Sequence, residues 1–194
     1  MAEHYFDESP SSDDRRQDVS VTVWGRERAF TTASGVFSHD GIDKATAVLL
    51  RSSTPPAGGT LLDLGCGWGV IACSLASDAT TVWAVDVNPR ALELTRANAD
   101  RHGLDVTTAL PDDVPSELTF DEIWSNPPIR IGKQALHDLL LRWLPRLAPD
   151  GVARLVVGKN LGADSLQRWL GEQGFPTERV ASAKGFRVLV TRRG

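Results

Sequence analysis

What most constrains this chain is a change of periodicity near residue 60, after which short apolar runs interleave with stretches of helical apolar spacing. Strand signatures at 60–64, 81–86, 105–109, 120–125 and 152–157 share this region with helical patterns at 70–77, 89–102, 133–147 and 163–173. Two further strands are predicted at 177–181 and 186–191. The helix at 89–102 is the best marked, with Asn88 to cap it, Pro89 at its first position and Gly103 to stop it. Parallel strands joined by right-handed crossovers carry helices on both faces, so the pattern predicts an open, mostly parallel α/β sheet. Ligands of such sheets bind beyond the carboxyl ends of the strands. Ahead of the alternation, 19–23 and 28–32 predict a hairpin around Trp24-Gly25. A helix is expected over 42–51, closed by Pro55-Pro56.

The 194 residues suit one domain, expected over 19–194, behind an acidic and partly flexible segment over 1–18. No run approaches about 18 apolar residues and the start has no basic-then-apolar pattern, so a cytoplasmic chain with no membrane partner is expected. Cys66 and Cys73 do not form a disulfide framework, and they make no metal-ligand spacing with the scattered histidines, so no metal is assigned. Charge is unevenly divided. The net of −4 conceals a C-terminal part, from Arg130 onward, where twelve bases stand against five acids. Such a surface suits a polyanion, although a solvated face explains it equally well.

Leu64-Gly65-Cys66-Gly67-Trp68-Gly69 runs from a predicted strand into a helix with glycines at alternate positions. Glycine admits positive φ and removes the Cβ that would keep a ligand from the backbone. Val70 stands where a nicotinamide-type fingerprint requires its third glycine. Asp63 precedes the loop, and Asp86 ends the next strand, where an acid can accept both ribose hydroxyls of an adenosine ligand.

The fourth strand of the alternation ends in Ser125-Asn126-Pro127-Pro128. Proline fixes its own φ and extends the residue before it, so Asn126 and the Pro127 carbonyl are held rigidly. Prolines offer no N–H, so the site presents acceptors. The Asn126 side-chain oxygen and the Pro127 carbonyl can take both hydrogens of one primary amine. Pulling them from the plane of a conjugated ring turns the nitrogen lone pair toward an electrophile.

At Asp63, Gly65, Gly67, Gly69 and Asp86 the chain resembles the class I S-adenosylmethionine-dependent methyltransferases, and at Asn126, Pro127 and Pro128 it resembles those that methylate amines. The longer string from Ser125 to Lys133, with His4-Tyr5-Phe6, Gly35-Val36-Phe37-Ser38 and Lys159-Asn160-Leu161-Gly162-Ala163, is similar to the small-domain family, which includes bacterial small-subunit rRNA guanine-N2 methyltransferases. The resemblance implies a Rossmann-like fold with a seven-stranded sheet and an N-terminal hairpin. It implies S-adenosylmethionine as cofactor, held by Asp63, Gly65, Gly67, Gly69 and Asp86. Asn126, Pro127 and Pro128 would be catalytic, and Phe37, Ile129, Arg130 and Lys133 would meet the substrate. The implied partner is rRNA or the small ribosomal subunit. Two departures stand out. Asp43-Lys44-Ala45-Thr46 lacks the glycine or serine that often follows this aspartate in relatives. Ile129 stands where adenine and glutamine enzymes place a stacking aromatic, which leaves stacking to a residue such as Phe37. A protein-glutamine or small-molecule N-methyltransferase and a non-catalytic cofactor-binding module on RNA remain open.

Overall fold

A computed structural model describes residues 16–38, 40–128 and 131–194. β1 (Arg16–Val23) and β2 (Arg26–Ala33) pair antiparallel. Trp24 and Gly25 join them at φ 47° and 76°, the two left-handed positions of a hairpin turn whose twist matches that of its strands. The chain continues through α1 (Lys44–Arg51), β3 (Gly59–Leu64), α2 (Val70–Leu75), β4 (Thr80–Val85), α3 (Pro89–Arg101), β5 (Val106–Ala109) and β6 (Phe120–Ser125). It closes with α4 (Lys133–Trp143), β7 (Leu147–Gly158), α5 (Ala163–Glu172), β8 (Thr177–Ala183) and β9 (Phe186–Arg192).

Seven strands form one sheet in the order β5-β4-β3-β6-β7-β9-β8. β9 runs antiparallel to both its neighbours, and the pairings among β3 to β7 are parallel. The expected Rossmann-like sheet is therefore present. Its strand order reverses between β3 and β6, which opens a crevice beyond their carboxyl ends. The hairpin and α1 to α3 pack on one face around Phe30, Leu49, Trp68, Leu75, Leu94 and Trp124. α4 and α5 cover the other around Leu62, Phe120, Trp143, Leu155, Leu170 and Leu189.

Two of the boundaries that depart from expectation have identifiable reasons. α4 stops at Trp143 instead of reaching 147, because Pro145 can enter only the first positions of a helix; a short 3-10 turn, Leu144–Arg146, follows. β1 starts at Arg16, ahead of 19, because its polar residues pair along β2 as far as Ala33. Four tryptophans serve packing. Trp68 and Trp143 are buried, and Trp83 and Trp169 lie against the second core, with the Trp169 ring stacked on His137 at 3.5 Å.

The hairpin is bound to the loops that shape the crevice. Asn98 on α3 donates to the Thr31 carbonyl at 2.9 Å and the Trp68 carbonyl at 2.8 Å, and its oxygen accepts from Thr31 N at 2.7 Å. Trp24 Nε1 donates to the carbonyls of Leu50 and Ser53 at 3.0 and 2.9 Å, fixing the end of α1. The segment after β2 is held by Asn88, Arg90 and Trp68, which donate to the carbonyls of Gly35, Ser34 and Ser38. Among the described residues no helix is long and apolar enough to cross a membrane. Among them, too, no three His, Cys, Asp or Glu side chains gather to hold a metal.

Candidate active site

The parallel strands end side by side. Buried Ser125 at the end of β6 donates its hydroxyl to the Leu64 carbonyl at 2.7 Å, which sets Asn126 against the start of the glycine loop. Beyond these ends lies a pocket lined by Phe37, Asp43, Thr46, Gly65, Gly67 and Asn126, with Ser38, Cys66, Trp68, Val70 and Ile71 completing its walls.

The three loop glycines have separate duties. All have positive φ, at 77°, 56° and 87°. A Cβ on Gly65 would meet nothing within 4 Å, and one on Gly67 only Val36 Cγ1 at 4.0 Å, so both backbones are open to an approaching ligand. A Cβ on Gly69 would instead come within 2.8 Å of the Thr95 side chain on α3. Gly69 is the residue from which α2 starts, and its bareness serves helix packing.

Asp63 is completely buried beneath α2. Its Oδ2 accepts from Ala72 N at 2.9 Å and its Oδ1 has no partner among the described residues. Burial pushes its pKa up to about 8, with the Ala72 N–H pulling the other way and the charge of Asp86 adding to the rise. Asp86 lies half-buried just past β4, accepting from Gly67 N at 3.0 Å and Asn88 N at 2.9 Å. Burial raises its pKa too, opposed by these backbone N–H groups. Each oxygen keeps a lone pair for a further donor. Burial likewise pushes the Cys66 thiol up and that of Cys73 to about 12, so neither is an activated nucleophile.

Asn126 Nδ2 donates to Asp43 Oδ2 and to Thr46 Oγ1, both at 3.0 Å. Its Oδ1 accepts nothing from the described residues. Pro127 is buried and Pro128 half-buried, and the Pro128 carbonyl is taken by Ile131 N at 3.1 Å. Thus Phe37, Gly65, Gly67 and Asn126 share one pocket, whereas Asp63, Gly69 and Asp86 support it from behind or beside. Phe37 is 44 % exposed at the rim. Lys133 is exposed at the first position of α4. Ile129 and Arg130, and the His4-Tyr5-Phe6 string of the acidic segment, lie outside the described residues. Asp43 and Thr46 escaped sequence reasoning as site residues; Asp43 carries a recognisable helix-capping signal, but nothing in the sequence puts it beside a residue 83 positions away.

The arginines of the basic C-terminal part do not extend this site as a group. Arg146 donates to the carbonyls of Leu118 and Pro115, Arg193 to that of Leu147, and Arg192 pairs with Glu178. Leu147 and the Arg192 end of β9 mark the amino edge of the parallel strands, opposite Asn126. Arg142 pairs with Asp112 and Arg187 with Asp164. On the pocket's edge of the sheet, exposed Lys159 follows β7 and exposed Lys184 turns the β8–β9 hairpin.

Residues 27–190 match the family profile of the methyltransferase small domain. The Bacillus subtilis protein YbxB, described only as uncharacterized, is 36 % identical over 97 % of this chain and 98 % of its own length. The ribosomal RNA small subunit methyltransferase C of Pseudomonas aeruginosa is 35 % identical over 91 % of this chain. Among solved structures, the T. thermophilus 16S rRNA N2 methyltransferase in complex with AdoMet and guanosine superposes over 96 % of this chain with a TM-score of 0.77, at 22 % identity, a likeness of fold. The chain spans about half the length of the latter two, 54 % and 52 %.

Proposed function

Because the chain belongs to the methyltransferase small-domain family and uses S-adenosylmethionine as methyl donor, we propose that it methylates an exocyclic amine of an RNA nucleobase, guanine N2 of small-subunit rRNA being the target. The observation that carries this reading is the Asn126 oxygen, unpaired among the described residues, in the same pocket as the open backbones of Gly65 and Gly67. The activities for which the two rRNA methyltransferases it resembles are named support the choice of RNA. The reading takes residues 19–194 as one catalytic domain, with β1 reaching back to Arg16 into the acidic segment.

The site fits this cofactor. Gly65 and Gly67 leave room along the backbone, Asp86 has lone pairs left for ribose hydroxyls, and the Asp63 oxygen, without a partner among the described residues, is left to pair with a further group. When bound, S-adenosylmethionine supplies an electrophilic methyl group on a sulfonium. Asn126 Oδ1 and the Pro127 carbonyl accept the two amine hydrogens and draw them from the ring plane, which takes the nitrogen lone pair out of conjugation. The methylated nitrogen would then lose its extra proton to water. No strong base is required. Phe37 offers an apolar face for the base at the rim.

Gly67→Val and Asp86→Ala are each expected to weaken S-adenosylmethionine binding, the second by about 1.5–3 kcal/mol through loss of a charged acceptor. Calorimetric titration checks this, and unchanged affinity in both variants would remove these residues from the cofactor site. The substrate is tested by radiolabelled methyl transfer to small subunits and to naked rRNA at several salt concentrations, followed by nucleoside analysis. N2-methylguanosine is expected, with RNA affinity falling by a log-log slope of about −0.7 to −0.9 per neutralised phosphate. Replacing Arg130 and Lys133 by alanine should flatten that slope and leave cofactor affinity intact. Robust incorporation into protein with none into RNA would overturn the assignment in favour of a protein-glutamine enzyme.

A further inference from the structure

We infer that Asp43 and Thr46 are positioning residues that decide which end of the Asn126 amide faces the substrate. The inference rests on the amine-accepting role proposed for Asn126. A carboxamide is nearly symmetric in shape but not in chemistry. Rotated by half a turn, it presents a donor where it had an acceptor. In a site that must receive two amine hydrogens, the wrong face would set N–H against N–H. The proline that follows Asn126 restricts its backbone but leaves this side-chain choice open.

Asp43 makes the choice. An ionised carboxylate only accepts, so the Asn126 atom 3.0 Å from Asp43 Oδ2 must be Nδ2. The reverse orientation would face two oxygens at that distance. The Thr46 hydroxyl, also 3.0 Å from Nδ2, can accept or donate and adds a second contact without choosing by itself. Both amide hydrogens then have acceptors, and Oδ1 is left as the end without a partner among the described residues.

The aspartate is itself immobilised. As N-cap of α1, its Oδ2 also accepts from Ala45 N at 2.7 Å and Thr46 N at 3.1 Å. Thr46 is buried, and α1 is packed through Ala45, Val48, Leu49 and Leu50. The other end of α1 is fixed by Trp24 of the hairpin turn. A rigid element outside the catalytic strand thus fixes the polarity of the proposed catalytic amide. Here the departure at Asp43-Lys44-Ala45-Thr46 acquires a use, since its threonine is one of the two anchors.

Two variants separate this role from capping. Asp43→Ser retains a helix cap of similar quality but is too short to reach Asn126, and Asp43→Asn retains an oxygen at the same reach. Asp43→Ser combined with Thr46→Val should lower the single-turnover methyl-transfer rate to 16S rRNA by at least about tenfold, with substrate KM and cofactor Kd within about threefold of wild type. Asp43→Asn should stay within about threefold. Added to Asn126→Ala, the double substitution should cost no more than about twofold further, because the group it orients is already gone.

A readout independent of turnover is the side-chain amide of Asn126 in nitrogen-15 NMR, assigned by its disappearance in Asn126→Ala. The pair should be protected from exchange in wild type and Asp43→Asn, and lose protection in Asp43→Ser/Thr46→Val. An unprotected pair in wild type, a normal rate in the double variant, or a full loss multiplying on top of Asn126→Ala each overturns the inference. A normal rate in Asn126→Ala itself would instead sink the amine-accepting role.

Discussion

Asn126→Ala is expected to reduce single-turnover methyl transfer by about a hundredfold or more, while S-adenosylmethionine binds as in wild type. The substitution removes one preorganised acceptor at the place where positive charge develops on nitrogen, and that loss is felt in the transition state more than in either ground state. The fold should survive. Asp43 keeps its two backbone donors from the α1 terminus, Ser125 still ties β6 to the Leu64 carbonyl, and Asn126 itself is only half-buried. Calorimetry with S-adenosylmethionine and single-turnover methylation together check the prediction. A rate near that of wild type in a folded variant would exclude Asn126 as the amine acceptor.

The second large effect is on stability. Gly69→Ala is expected to destabilise the protein by about 2–5 kcal/mol, combining the cost of an L-residue in the left-handed region with overpacking against a neighbouring helix. At φ 87° the added Cβ would stand 2.8 Å from the Thr95 side chain and 3.0 Å from its Cα, and a backbone carbon cannot move aside as a flexible side-chain end can. Thr95 is fully buried and its hydroxyl donates to the Gly67 carbonyl at 3.1 Å, so displacing it also disturbs the loop. Gly67→Ala is the control. It pays only the conformational term, about 1–2 kcal/mol, because its nearest neighbour would be Val36 at 4.0 Å. Urea unfolding of both variants checks the difference. Equal losses at the two positions would mean that the Gly69–Thr95 contact relaxes freely.

The sequence by itself determined the alternation of strands and helices, because hydrophobic period is a local property. It also marked the elements whose ends carry their own chemistry. Asn88, Pro89 and Gly103 bound α3, and Gly25 supplies a left-handed position of the hairpin turn, as residues with these conformational preferences allow. The glycine loop and Asn126-Pro127-Pro128 were legible for the same reason, each being a short run whose chemistry depends on adjacent residues. Tertiary structure alone decided the rest. The three glycines look equivalent in sequence, yet only Gly69 meets a helix, because that depends on where α3 lies against α2. The basic C-terminal part looks like one surface, yet the reversal of β9 and the course of α4 send Arg146, Arg192 and Arg193 to the edge opposite the pocket. The contact between Asp43 and Asn126 spans 83 residues and exists because α1 packs against β7 and β9, beside the end of β6 that carries Asn126. Hydrogen bonds between distant side chains follow from the packing of whole elements, and one chain read without that packing contains no local trace of them.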